Sequence, residues 1–133
     1  MNNKSTKILT EISPGELLDK ISILEIKLIK IKDKKKIEEV NKEYRSLLNT
    51  KNTTIKGGNE LDDLISKIKT INLKLWETED KIRICEKNKN FGGEFIQLAR
   101  DVYIDNDERA RIKLNINKLL GSSFIEIKDY SSY

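Results

Sequence analysis

Residues 13–31 read SPGELLDKISILEIKLIKI and contain the strongest local structural signal in the chain. Ser13 suits the N-cap of a helix, Pro14 suits the first helical position, and Glu16 suits the third position of a capping box. The apolar residues that follow are spaced alternately by four and three positions, as in the seam of a helical bundle: Leu17, Ile21, Leu24, Leu28 and Ile31. The stretch therefore predicts a long amphipathic helix that begins at Pro14.

The same apolar spacing recurs through most of the chain and predicts further helices. We expect helices over about 14–32, 34–49, 60–86 and 94–120, with loops over 49–59 and 87–93. Asp33 marks the break between the first two, and Gly121 is placed to end the last one. Residues 105–108 read DNDE and resemble a new helix start, so a break near Asp105 is left open.

Long helices joined by short loops pack antiparallel, which indicates an all-α fold. We predict one helical domain over residues 1–133, either an elongated three-helix bundle or an antiparallel helical hairpin with a third helical region. Residues 7–12 and 124–128 have strand character, and the termini they belong to are candidates for a short two-stranded clasp. An elongated fold in so short a chain buries little core per residue, so we expect a homodimer.

The composition excludes several classes of chemistry. The chain has no histidine and a single cysteine, Cys85, which rules out His-dependent catalysis, an intrachain disulfide and a thiolate zinc site. We therefore expect no metal and no cofactor, and we expect Cys85 to be an inert buried thiol. No apolar run approaches the roughly eighteen residues of a membrane helix. Residues 1–13 contain no apolar signal segment, so we expect a cytoplasmic protein without membrane contact.

The positive charge is concentrated in one short stretch. Seven lysines and three carboxylates between residues 27 and 42 give a net charge of +4, which equals the net charge of the whole chain. A nucleic-acid surface usually spreads its basic charge over a face and interleaves it with arginine or aromatic residues. The stretch is better explained as a solvated helix end or corner, and nucleic acid is not an expected partner.

Polar residues occur on the predicted core-facing side of the first, third and last helical regions. On a helical wheel these residues are Glu25 in the first region, Asn72, Glu79, Arg83 and Glu86 beside Trp76 in the third, and Asn106, Arg109, Lys113 and Asn117 in the last. A buried network of ion pairs that fixes helix register or a dimer interface would explain them, and we favour this interpretation. In the alternative, Arg83, Arg109 and Lys113 hold a small anion, and Glu25 or Glu79 transfers a proton.

Several sequence segments resemble a family of small bacterial and phage helical proteins that is known only as a domain of unknown function. They are SPGELLDKI from Ser13, ILEIK from Ile23, LWE from Leu75 with Glu79, Asp80, Ile82 and Arg83, FIQLAR from Phe95 with Val102 and Tyr103, NDERA from Asn106, and LLGS from Leu119. The resemblance covers nearly all of residues 12–130. It implies no activity, cofactor or catalytic residue, because the family has none assigned.

The sequence contains no recognisable catalytic set, and no catalytic residue can be assigned. We therefore expect a non-enzymatic, cytoplasmic, coiled-coil-like helical module that binds another protein or a second copy of itself. The alternative is a metabolite-binding protein or enzyme with a polar pocket inside the bundle, formed by Glu25, Glu79, Arg83, Arg109 and Lys113. Nucleic-acid binding through the lysine stretch ranks third.

Overall fold

The computed structural model describes residues 6–133, and every regular element in that range is a helix. The helices are α1 (Pro14–Lys30), α2 (Lys34–Thr54), α3 (Asn59–Lys87) and α4 (Gly93–Leu119). This confirms the all-α prediction. The described residues contain four separate helices, so the three-helix bundle is not confirmed. Asp33, where the sequence indicates a break, accepts hydrogen bonds from the backbone N–H groups of Lys35 and Lys36 and so starts α2.

Helix α1 lies at the centre of the arrangement. Its backbone approaches those of α2, α3 and α4, whereas the backbone of α2 approaches that of α1 alone. Helices α3 and α4 are joined by the short loop 88–92 and form a close antiparallel pair. The core is formed by buried aliphatic side chains of α1, α3 and α4: Leu17, Leu18, Ile21, Leu61, Ile68, Ile112 and Ile116.

The start of α1 is held by its own cap and by the end of α4. The Ser13 side chain accepts a hydrogen bond from the Glu16 N–H, as the sequence predicts. The Glu16 carboxylate does not complete a capping box but pairs with Lys113 at 2.9 Å. Gly15 donates its N–H to Asn117 Oδ1 at 2.7 Å, and a Cβ on Gly15 would lie 2.6 Å from the Lys113 carbonyl oxygen. The close approach of α1 to α4 therefore requires glycine at position 15.

Helix α2 extends beyond its predicted end near residue 49 and stops at Thr54. The threonines there do not interrupt the helix, because the hydroxyls of Thr50, Thr53 and Thr54 bond to carbonyl groups of the preceding turn. The connection to α3 is consequently short, and Ile55 within it packs against the core.

Helix α4 is continuous through Asp105, which settles the open question of a break. The Asp105 side chain lies 3.3 Å from Lys74 Nζ on α3, so it makes a contact between helices and does not start a new helix. Gly121 ends α4 with φ of 65°, and Ser122 N–H donates to the Asn117 carbonyl, as in a Schellman motif.

The predicted two-stranded clasp does not appear, because no strand is assigned anywhere in residues 6–133. The two terminal segments meet through side chains, since Ser123 Oγ donates to Glu11 Oε2 at 2.7 Å. The C-terminal segment also contacts α4, where Glu126 pairs with Lys113 and Tyr133 donates to Asp107. The prediction about a signal segment falls partly on residues 1–5, outside the described range. None of the helices in residues 6–133 is long and apolar enough to cross a membrane.

Candidate functional site

A buried polar network lies between α1, α3 and α4, centred on Asp19. This aspartate is 1% exposed, and both of its carboxylate oxygens accept hydrogen bonds from Arg109, at 2.8 Å from Nε and 2.5 Å from NH2. Asn72 Nδ2 donates to Asp19 Oδ1 at 2.8 Å and to Ser22 Oγ at 2.7 Å. The hydrogen bonds with Asp19 raise the pKa of Arg109 above its ordinary value. A buried charge with this many partners is compensated within the fold.

Helix α1 presents this network on a second buried face, which the sequence analysis did not identify. Gly15, Asp19, Ser22 and Ile26 are spaced by four, three and four positions, in parallel with the apolar seam, and all four are buried. The signal was present in the sequence as two small residues and an aspartate in the same register. It was missed because a face of polar and small residues is usually assigned to solvent.

Lys113 lies at the edge of the network, beside the start of α1. Lys113 is only 6% exposed, and its ammonium lies 2.9 Å from Glu16 Oε2 and 2.8 Å from Glu126 Oε2. Burial alone lowers the pKa of Lys113, but the hydrogen bonds that Lys113 donates to both carboxylates outweigh burial and raise its pKa. The same contact lowers the pKa of Glu126 below its usual range. Lys113 is therefore an ion-paired link between α1, α4 and the C-terminal segment.

Glu25 lies apart from these groups, on the side of α1 that faces α2. Its Oε2 accepts a hydrogen bond from the Tyr44 hydroxyl at 3.0 Å, and its Oε1 lies 3.6 Å from Lys69 Nζ. Burial and the hydrogen bond to Glu25 raise the pKa of Tyr44. Glu25 connects three helices and does not face Arg109 or Lys113 in a shared pocket.

Glu79 and Arg83 form the predicted pair one helical turn apart, 2.5 Å from oxygen to nitrogen. The pair lies on the surface, where the Arg83 side chain is 71% exposed. The predicted core-facing position is open to solvent because α1 ends at Lys30, which lies 3.9 Å from Glu77 on α3. The last ten residues of α3, which include Arg83, extend past that contact.

A cleft of about 520 Å³ opens where the end of α1 meets α3 and α4. The structure brings Glu79, Arg83 and Arg109 together in its wall, whereas Glu25 and Lys113 lie outside it. The other lining residues come from all three helices: Ile23, Ile26, Asn72, Leu75, Trp76, Asp80 and Asn106. The cleft is thus a partly apolar hollow whose lining includes two residues that bind Asp19, Asn72 and Arg109.

The other reactive side chains do not form a catalytic group. Cys85 is buried, and both burial and the charge of Glu94 raise the pKa of its thiol, which disfavours the reactive thiolate. Asp105 is buried with one oxygen, Oδ2, that has no hydrogen-bond partner in the described part of the chain. Within residues 6–133, no group of three or more Cys, Asp or Glu side chains is placed to hold a metal ion.

The chemistry of the site is mainly that of a compensated ion network. Each of the five candidate residues has an oppositely charged or hydrogen-bonded partner in the protein: Glu25, Glu79, Arg83, Arg109 and Lys113. Such pairing fixes the positions of helices, and truncating one member of a buried pair leaves an uncompensated charge. The arrangement favours a structural role for Arg109 and Lys113.

Comparison with known proteins gives the family. A family model described as a family of unknown function, DUF6165, matches residues 8–133. No curated protein and no solved structure shows a significant match to the chain. The matched range contains all four helices and the C-terminal segment. The chain therefore belongs to this family of unknown function, DUF6165.

Proposed function

We propose that this protein is a protein-binding module that assembles with a second copy of itself through its two terminal segments. We call residues 8–12 and 124–130 together the terminal surface. The single observation that carries the proposal is the concentration of exposed apolar side chains on this surface. Apolar side chains grouped in this way on a folded domain mark an interaction site.

The apolar residues of the terminal surface are exposed to an unusual degree. Leu9 is 93% exposed and Ile127 is 81% exposed, and Ile8 and Tyr130 are comparable. The hydrogen bond between Glu11 and Ser123 holds the two segments next to each other, so their apolar residues belong to one region. The matched family range begins at residue 8 and includes both segments.

The backbone of the C-terminal segment is available for pairing. Phe124 bonds to the Ser122 hydroxyl, but beyond it no backbone group of residues 125–133 bonds to another residue of the described chain. An extended segment with free N–H and C=O groups is a template for an added strand. The same segment of a second copy, related by a two-fold axis, supplies a self-complementary antiparallel partner. The strand predicted over 124–128 would then form between copies.

A non-enzymatic role in the cytoplasm fits the remaining observations. The charged residues that looked catalytic in the sequence are engaged with partners inside the fold, as the network around Asp19 illustrates. The cysteine is a buried free thiol, which suits a reducing compartment. We therefore assign the protein a role in assembly and not in catalysis.

Sedimentation velocity over a micromolar concentration series tests the proposal. We expect the wild-type chain to shift from monomer to dimer as concentration rises, and Ile127→Asp to remain monomeric, because a charge at the centre of the paired strands opposes their association. Ile127 is exposed in the monomer, so the substitution leaves the thermal midpoint unchanged.

Ile96→Asp is the matched control, because Ile96 is also exposed but lies in the first turns of α4, away from the terminal surface. It should dimerise as the wild type does. A wild-type chain that stays monomeric throughout the series would refute self-assembly. Equal dimerisation of the wild type and Ile127→Asp would place the interface elsewhere.

A further inference from the structure

The cleft at the end of α1 has the size and composition of a small-molecule site. Its volume of about 520 Å³ lies within the usual range for such pockets, about 300–1,000 Å³. Ile26 and Leu75 are buried and supply an apolar floor, and the half-buried residue Trp76 forms one wall. None of these residues belongs to the terminal surface, so the inference is independent of the proposed assembly.

The polar groups at the floor are fixed in direction. Asn72 is 5% exposed and donates both amide hydrogens inside the protein, to Asp19 and Ser22. Its Oδ1 accepts no hydrogen bond from any residue in the range 6–133, so a buried side chain of the lining keeps one free acceptor. The orientation of the amide is set by its two donated bonds.

Arg109, a second lining residue bound to Asp19, keeps a hydrogen-bond donor. Arg109 uses Nε and NH2 to bind Asp19, which leaves NH1 with only a long contact of 3.5 Å to Asn106. Arg109 Nε and Asn72 Nδ2 share the same oxygen, Asp19 Oδ1, each at 2.8 Å. The two side chains therefore converge on one carboxylate, and the network leaves Arg109 NH1 as a donor and Asn72 Oδ1 as an acceptor on two residues that line the cleft.

The charge balance of the cleft disfavours an anion. Its wall contains two guanidinium groups and two carboxylates, and both guanidinium groups are already paired, Arg83 with Glu79 and Arg109 with Asp19. No cation of the lining is free to neutralise a phosphate or carboxylate. An uncharged ligand avoids the cost of breaking either pair.

We propose that this cleft binds an uncharged ring compound whose edge carries a donor and an acceptor side by side, as in a carboxamide or a nucleobase. The ring stacks on Trp76, the acceptor of the ligand takes a hydrogen bond from Arg109 NH1, and its donor gives one to Asn72 Oδ1. This site is a form of the small-anion or metabolite pocket considered as the alternative from the sequence, with an uncharged ligand. Three of the same residues line it: Glu79, Arg83 and Arg109.

NMR titration with nicotinamide and nicotinate tests the proposal, because the two compounds share a ring and differ in the charge of the substituent. Trp76 is the only tryptophan, so its indole N–H signal reports the cleft without ambiguity. We expect saturable shifts of that signal and of the Asn72 side-chain amide with nicotinamide, and binding of nicotinate weaker by about tenfold or more, as for loss of one good polar contact. Cytosine, titrated in parallel, shows whether a nucleobase or a carboxamide supplies the donor and acceptor that the cleft recognises. Tight binding of nicotinamide or of cytosine supports the proposal.

Trp76→Leu tests the stacking wall while leaving the Asp19 network intact. We expect it to weaken nicotinamide binding by about tenfold, the usual effect of removing one stacking partner, as measured by saturation transfer on the ligand. Leu73→Ala is the matched control on the same helix, outside the cleft, and should bind as the wild type does. Three results would each overturn the proposal: no response to nicotinamide and cytosine at millimolar concentration, nicotinate binding as tight as nicotinamide, or unchanged binding by Trp76→Leu.

Discussion

At the scale of single residues, the burial of a charged side chain is decided by the helices that pack around it and not by its position on a helical wheel alone. Arg83 and Arg109 both face the predicted core, yet Arg83 pairs at the surface and Arg109 binds a carboxylate that is 1% exposed. An exposed ion pair contributes little to stability, whereas a buried charge that loses its partner is costly. The two arginines should therefore respond very differently to truncation.

Arg109→Ala is predicted to lower the free energy of unfolding by about 3–5 kcal/mol, because it leaves the Asp19 carboxylate buried without its main partner. Arg83→Ala, the matched control, should cost less than about 1 kcal/mol. Urea unfolding followed by circular dichroism measures both. Similar losses for the two variants would show that the Asp19 network does not hold the helices together.

Gly15→Ala is predicted to destabilise the protein by about 1–3 kcal/mol, the usual cost of overpacking. The added Cβ would lie 2.6 Å from the Lys113 carbonyl and 2.7 Å from Asn117 Oδ1, both on α4. Gly93→Ala serves as the control, because a Cβ there meets nothing within 4 Å. Thermal unfolding of the two variants gives the comparison, and an unchanged midpoint for Gly15→Ala would contradict the close approach of α1 and α4.

The sequence predicts the helices and several interior polar residues, but it does not predict which of these residues form hydrogen bonds or ion pairs with each other. The wheel identifies Asn72 and Arg109 correctly as facing inward, because each depends only on the local helix. Their common partner Asp19 was missed, since pairing across 53 and 90 residues depends on how α1 crosses the other helices. The exposure of Arg83 was missed for the same reason, because it depends on where α1 ends in space.

At the scale of elements, α2 differs from the other three helices. None of its residues is fully buried, and its backbone approaches α1 alone. Most helical stability in proteins comes from packing of an apolar face, so α2 should open more readily than α3 or α4.

Hydrogen exchange measured helix by helix tests this expectation. Backbone amides in the middle of α2 should exchange faster than those around Ile68 in α3 or Ile116 in α4, both of which are completely buried. The exchange rates of α1 serve as the internal reference, because α1 packs against every other helix. Equal protection of α2 and α3 would mean that the whole domain opens as one unit.

The C-terminal segment should respond to acid through Glu126. The hydrogen bond from Lys113 lowers the pKa of Glu126, so this contact stabilises the docked segment above the ordinary carboxyl pKa and is lost as the pH falls through the lowered value. We expect the NMR signals of residues 124–130 to become those of a mobile chain on acidification. Glu126→Gln should show mobile signals already at neutral pH, and an unchanged docked segment in that variant would contradict the role of the ion pair.

At the scale of the whole molecule, the buried polar network and the most exposed apolar side chains lie in different parts of the fold. The interior charges fix α1 against α3 and α4. The terminal surface, in contrast, contains the apolar side chains with the greatest exposure to solvent. The strand prediction for residues 7–12 and 124–128 is not confirmed in the described residues, where the two segments share a side-chain hydrogen bond and no backbone hydrogen bond. In a dimer of the proposed kind, residues 124–128 would gain a backbone partner from the second copy.

Hydrogen exchange of the backbone amides in residues 125–129, measured at low and at high protein concentration, tests the proposed assembly most directly. In the monomer these amides have no hydrogen-bond partner in the protein, so they should exchange freely in dilute solution. The proposed pairing of two copies predicts that alternate amides become protected as concentration rises, and that Ile127→Asp abolishes this protection. Exchange that stays fast at every concentration would contradict assembly through the terminal surface.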